Sequence, residues 1–165
     1  MPGADAVPVL ITRRVPVPAA VVNARLSDPA RLFGATAPVG DDPAGRHRVP
    51  LEVRFAGVRF DRAAAVGFGP PVEEDDGSRV LPLWWEAAEQ PHLFPTFVGG
   101  LEVCPLGNGA ELRLQGHYRP PLGAAGGLVN RTLLNRAATA SLEKLLDRLS
   151  DGLTAGRARP LVPEA

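Results

Sequence analysis

Few side chains in this 165-residue chain stand where they could do chemistry. Its three histidines, His47, His92 and His117, are far apart and lack the short spacing by which two imidazoles on one element share a metal. None of the four serines lies in a G-x-S-x-G elbow, and no nucleophile–base pair stands out. The glycines of "GFGPPVEEDDG" lead into an acidic turn rather than G-K-[ST], so this is not a phosphate loop, and Glu73 to Asp76 read as solvated carboxylates. Cys104 is the only cysteine, which excludes an intrachain disulfide and fits a buried structural thiol. Two residues remain. Arg13 and Tyr118 put polar tips on otherwise apolar strand faces. Arg13 is either exposed at a bulge or strand end, or anchors a carboxylate, phenolate or ketone oxygen of a ligand. Tyr118 is either an amphipathic core residue near the sheet rim or a second hydrogen-bonding group. No metal and no cofactor are expected.

Composition sets the frame. The length suits one domain, expected over residues 1–155, with 156–165 as a polar, proline-containing tail outside it. Hydrophobic residues are 45% and charged residues 22%, ordinary for a soluble globular protein with a real core. Eighteen basic residues balance eighteen acidic ones, so no global field attracts nucleic acid or an anionic membrane. The N-terminus lacks a signal-peptide pattern, and no apolar run approaches the roughly 20 residues of a membrane helix. A cytoplasmic protein, monomeric or homodimeric, is expected. Lys144 is the only lysine, and the excess of Arg, Ala, Gly and Pro suggests a GC-rich bacterial genome.

Alternation predicts the strands. Val9, Ile11, Val15 and Val17 share one parity in a first strand over Val7–Pro18, followed by two short helices broken at Asp28-Pro29. A second strand carries Val49, Leu51, Val53 and Phe55 on one face, and a third carries Val66 and Phe68. "PPVEEDDGSR" reads as a polar reverse loop. In the fourth strand Leu81, Leu83, Trp85 and Ala87 oppose Trp84 and Glu86. A hairpin with Gly107-Asn108-Gly109 at its tip turns Phe97, Leu101, Val103, Leu112, Leu114 and Tyr118 inward. The last element is a helix from near Gly126 to about Leu153. Leu134, Ala138, Leu142, Leu145, Leu149 and Leu153 form its stripe. At ~1.5 Å per residue it spans about 40 Å, enough to cross a sheet. Pro120-Pro121 stops the strand before it, and Gly123, Gly126 and Gly127 let the chain turn back sharply. Hairpins rather than helices join the later strands, which makes the class α+β.

With this order of elements, "LFPTFVGGLEV" and "LQGHYRPPLGAAGGLVNRTLLNRAATASLEKLL" give the chain from about Val7 to Leu153 a likeness to a known family. It resembles the START-related SRPBCC superfamily, in particular its polyketide cyclase/dehydrase and lipid-transport-like members. The most specific part is Gly116-x-Tyr118-x-Pro120-Pro121-x-Gly123-x-x-Gly126, a structural motif; Asn130 stands where relatives often carry an acid. The resemblance implies a helix-grip fold, a curved antiparallel sheet wrapped around the C-terminal helix, with a cavity between them. The bottom-up pattern agrees, because inward positions mix large aromatics with Ala and Gly and can leave space. The expected lining is Arg13, Val53, Phe55, Leu83, Trp85, Phe97, Leu101, Leu114, Tyr118, Leu134, Ala138 and Leu142, with no assigned catalytic residue. Three functions compete: a carrier or sensor of a small apolar lipid- or polyketide-like molecule, a cyclase/aromatase-type enzyme, and a protein-interaction module exposing Trp84. The enzyme ranks below the carrier because no inward histidine or carboxylate is evident as a base.

Overall fold

In a computed structural model of the chain, residues 6–32, 37–38, 46–55, 58–87, 96–119 and 131–155 are described. Strand β1 (Val7–Val15) is followed by helices α1 (Ala19–Arg25) and α2 (Pro29–Leu32). Then come β2 (Ala37–Pro38), β3 (His47–Phe55), β4 (Val58–Phe68), β5 (Val72–Glu73), β6 (Arg79–Ala87), β7 (Thr96–Leu106) and β8 (Gly109–Arg119). Helix α3 (Arg131–Ala155) closes the order. All strand pairs are antiparallel, in the order β1-β8-β7-β6-β4-β3-β2, with β5 paired to β6 off this path. Helix α3 packs against both β1 and β3, so the sheet curls around it from one side to the other. This is the α+β helix-grip architecture that the resemblance implies.

The local reasons are legible. Pro18 precedes α1, and the amides of Val21 and Val22 both bond its carbonyl. Pro29 opens α2, where its missing N–H costs no helical bond. Between β7 and β8 the chain reverses through Gly107, whose φ of +56° suits a tight hairpin turn, and Asn108. Gly109 belongs to β8 rather than to the tip.

Several expectations shift. The first strand ends at Val15, three residues early. The expected second and third strands are β3 and β4, with the second ending at Phe55 and the third beginning at Val58. The segment read as a polar loop contains β5, whose Val72 and Glu73 pair with Val80 and Arg79. Composition hides so short a strand, because its two residues are exposed and only the ladder to β6 defines it. The Pro120-to-Asn130 joint with its glycines and the 156–165 tail lie outside the described residues, as does the helix start at Gly126.

The inward sets form the core as alternation predicts. Phe97, Leu101, Val103, Leu112, Leu114 and Tyr118 are buried on the hairpin, and Leu81, Leu83 and Trp85 on β6. Leu142, Leu145, Leu146, Leu149 and Leu153 of α3 pack onto them, with Val22 and Leu26 of α1 in the same cluster.

Candidate functional site

Register turns the alternation into rows that cross the sheet. One inner-face row runs Val7, Tyr118, Phe97, Trp85, Val66, His47, from β1 to β3. The next row runs Val9, Gly116, Gly99, Leu83, Phe68. The two paired glycines leave a hollow in it, and the Phe97 ring lies across that hollow. A Cβ on either glycine would stand 2.7 Å from Phe97 Cζ. The backbones also approach closely here, since a Cβ on Gly99 would meet the Gln115 carbonyl oxygen at 2.2 Å. Trp85 stacks on Phe97 with centroids 4.5 Å apart and planes at 20°. In the sequence Gly116 stands out only as part of a structural motif, and the ring packing gives that motif its physical cause.

The polar tips on this row are Tyr118 and His47. Burial raises the Tyr118 phenol well above the ordinary tyrosine value, so at neutral pH the hydroxyl keeps its proton and can donate. His47, half-buried, stands opposite Val66 and shares its face. Its ring is 6.4 Å from that of Phe68, at an interplanar angle of 39°. Sequence reasoning misses His47 because it tests histidines only for metal spacing. The signal that could find it is parity, shared with Val49 and Leu51.

The expected lining residues separate into groups. Leu83, Phe97, Leu101, Leu114 and Leu142 are at most 1% exposed, so no water-sized space adjoins them. Trp85 and Tyr118 keep 6% and 4%. Val53 and Phe55 lie on β3, and Leu134 and Ala138 on α3; their side chains are outside those described. Arg13 has a partner within the chain. Its Nε donates to Asp147 Oδ1 on α3 at 2.7 Å, with the two side chains 39% and 50% exposed. Nearby, Arg25 Nη1 donates to the Leu153 carbonyl. These contacts tie β1 and α1 to the C-terminal half of α3.

The outer face differs. A groove of about 620 Å³ crosses it, with Pro8 and Leu10 on one side, Val80 and Pro82 on the other, and Gly100 and Gln115 between. Among the described residues the most exposed large apolar side chains are Leu10 and Val98, with Val21, Val72 and Leu106 less so. Trp84, expected to supply an exposed patch, is partly buried, because its indole lies where a Gly67 Cβ would stand, 2.3 Å from Cε2. Burial, then the hydrogen bond with Glu102, push the Cys104 thiol up to about 11, so it is not an activated nucleophile. Among the described residues no three His, Cys, Asp or Glu side chains gather as metal ligands, and no helix is long and apolar enough to cross a membrane.

No protein-family model matches the sequence, and no curated protein does. Solved structures do match. The protein TTHA0849 from Thermus thermophilus aligns with a TM-score of 0.60 at 19% identity, over 92% of this chain and 100% of that one. A START superfamily protein from Mycobacterium smegmatis aligns at 0.54 and 17%, over 90% and 97%. The Zhui aromatase/cyclase from a Streptomyces species aligns at 0.53 and 17%, over 97% and 99%. At these identities the likeness is one of fold.

Proposed function

We propose that this helix-grip protein binds a small, largely apolar, lipid- or polyketide-like molecule between its sheet and α3, in the cytoplasm. The site lies at the end of the inner face that carries Trp85 and Tyr118. One observation carries the reading: a buried phenol donor stands on the same row as a Trp85–Phe97 aromatic stack, on a row whose one other polar tip is His47. Such a face gives a ligand area from its rings and orientation from one or two polar groups. Trp85 and Tyr118 touch the ligand. Leu83, Phe97, Leu101, Leu114 and Leu142 form the packed floor beneath it, and Val53, Phe55, Leu134 and Ala138 complete the lining. Arg13 is left out, because Asp147 holds its guanidinium. Neighbours of the same fold that are named as a START superfamily protein and an aromatase/cyclase support the ligand class.

Native mass spectrometry of freshly purified protein tests this. A non-covalent small molecule that co-purifies and is lost on denaturation is the expected result. A bare apo mass, together with no binding from a panel of fused-ring and fatty compounds, overturns it.

The enzyme reading takes support from the inward face of His47, since an imidazole there supplies the acid–base group that the sequence reading lacks. Turnover of an aromatic-precursor substrate, abolished in His47→Leu, would move the protein from carrier to cyclase.

A further inference from the structure

Two adjacent rows cross the crest of the outer face from β1 through β8 and β7 to β6. One runs Pro8, His117, Val98, Trp84, and the next Leu10, Gln115, Gly100, Pro82. Val98 is 64% exposed and Leu10 63%, so both stand as apolar knobs in water. Two residues after Val98, Gly100 offers no side chain at all. The outer-face groove passes over Gly100 and Gln115, walled by Leu10 on one side and by Val80 and Pro82 on the other. Val80 leans in, since a Cβ on Gly100 would stand 2.9 Å from its Cγ1. A knob beside a hollow on one strand is complementary to its own copy under a two-fold axis. An axis lying along the rows, midway between them, sets each strand over its own copy with its direction reversed. Val98 of each copy then enters the hollow at Gly100 of the other, Pro8 meets Leu10, and Trp84 meets Pro82.

The charges at the two ends of this face select the same axis. Beyond the Leu10 row, Glu102 and Glu111 share Arg113, and the turn after β5 adds Glu74, Asp75 and Asp76. Hydrogen bonds with Ser78, and after them the Arg113 charge, hold the Asp76 carboxyl below its usual value, which puts it on this side of the sheet. Beyond the Pro8 row stand Arg119 on β8 and Arg48 on β3, in the row of Glu86, which bonds Arg46. Reversing the strands lays the acidic end of one copy over the basic end of the other. An axis along the strands would lay like ends together. Zero net charge leaves no overall repulsion between copies. Extension of the sheet edge to edge is the poorer route, because Pro8 brings no N–H to edge strand β1.

We propose that the protein self-associates through this outer face, as a two-fold dimer in which Val98 of each copy fills the hollow at Gly100 of the other. Such a dimer does not depend on a ligand at the inner face. The sheet curls around α3, so its outer face is convex and two copies meet over the crest alone. Four strands of about 4.8 Å each give a contact roughly 19 Å wide. That is small for a specific interface, and the dimer is weak and concentration-dependent.

Sedimentation equilibrium from about 10 µM to 1 mM tests this. The wild type should move from the 17.4 kDa monomer toward twice that mass. Val98→Asp should weaken association about 100-fold, because the two-fold axis introduces two carboxylates, each costing roughly tenfold. Leu10→Asp, on a different strand, should act in the same direction, so a folding defect in one variant leaves the other to decide. Val21→Asp, the same change at an exposed position of α1, should stay within about twofold of the wild type. Sodium chloride raised from about 0.05 to 0.5 M should weaken the wild-type dimer, because opposite charges meet across it. A wild type that remains monomeric throughout overturns the proposal and leaves the face to a different protein. A dimer that survives both Val98→Asp and Leu10→Asp, or is lost equally in Val21→Asp, places the contact elsewhere and overturns it as well. Association that strengthens with salt sets like ends together and contradicts the two-fold axis.

Discussion

The two halves of the inner face are built from different materials. Toward the C-terminal half of α3 the rows are aliphatic: Ile11, Leu114, Leu101 and Leu81, then Leu112 and Val103 beside Arg13. Leu142, Leu145, Leu146, Leu149 and Leu153 close over them almost without exposed surface, and Arg13 and Arg25 fasten the helix from outside. Branched aliphatic side chains interdigitate to crystal-like density, and each buried leucine contributes roughly 1.5–3 kcal/mol. Toward the His47–Tyr118 row the face changes to flat rings, a pair of glycines and two polar tips. These rings are buried as deeply as the leucines, and the difference lies in their shape and in the polar tips among them. The proposed ligand site belongs to the second end, and the first is leucine packing fastened by two arginines.

That division is open to attack from the stable end first. Leu142→Asp forces an unpaired carboxylate into the helix–sheet contact and should cost several kcal/mol, enough to unfold the protein or nearly so. A soluble variant melting like the wild type would show that this helix face is not core. Gly116→Ala comes next. Its methyl would meet the Val98 carbonyl oxygen at 2.4 Å and Phe97 Cζ at 2.7 Å, so about 1–3 kcal/mol of destabilisation is expected from chemical denaturation. Paired with Phe97→Leu the penalty should shrink, because part of the clash is with the ring.

Tyr118 allows a pH experiment that needs no substitution. It is the only tyrosine, so phenolate absorbance reports it alone. Burial raises its folded pKa above the ordinary value of 10.0, so the unfolded chain loses that proton first as pH rises. Its contribution to stability is whole below pH 10 and declines above it. Phenolate absorbance should therefore appear together with unfolding; ionisation near pH 10 in the intact fold would place the hydroxyl in water. The smallest effect belongs to Arg13→Met. A pair this exposed is worth at most ~1 kcal/mol and weakens with salt. Its melting shift should be small at low ionic strength and vanish at high. A salt-independent loss would mean that the stem of Arg13 matters more than its charge.

Much of this division can be read in the sequence, for a physical reason. On β6, β7 and β8 most alternate residues are large and apolar, and one face is buried, so parity alone sorts core from surface. The leucine stripe of α3 is as clear over Leu142 to Leu153. What parity cannot give is partnership between distant strands. Arg13 and Asp147 lie 134 residues apart, and only the helix crossing pairs them. His47 joins the Tyr118 row through four successive strand registers, none of them encoded locally. The outer face escapes sequence reasoning for a related reason. Parity alone exposes Trp84, but β4 places Gly67 directly opposite it, and the apolar surface falls instead to Leu10 and Val98.

Adjacent tryptophans on opposite faces of β6 make the central claim directly measurable. Trp85 stacks on Phe97 within the proposed site, and Trp84 covers Gly67 outside it. Tryptophan emission is followed while oleate, and separately an anthraquinone, is titrated into the wild type and the two single variants. An inner-face site predicts that Trp84→Phe retains the ligand-dependent change and Trp85→Phe loses most of it. A signal that follows Trp84 instead, surviving in Trp85→Phe and absent in Trp84→Phe, would place binding on the outer face and contradict the proposed site.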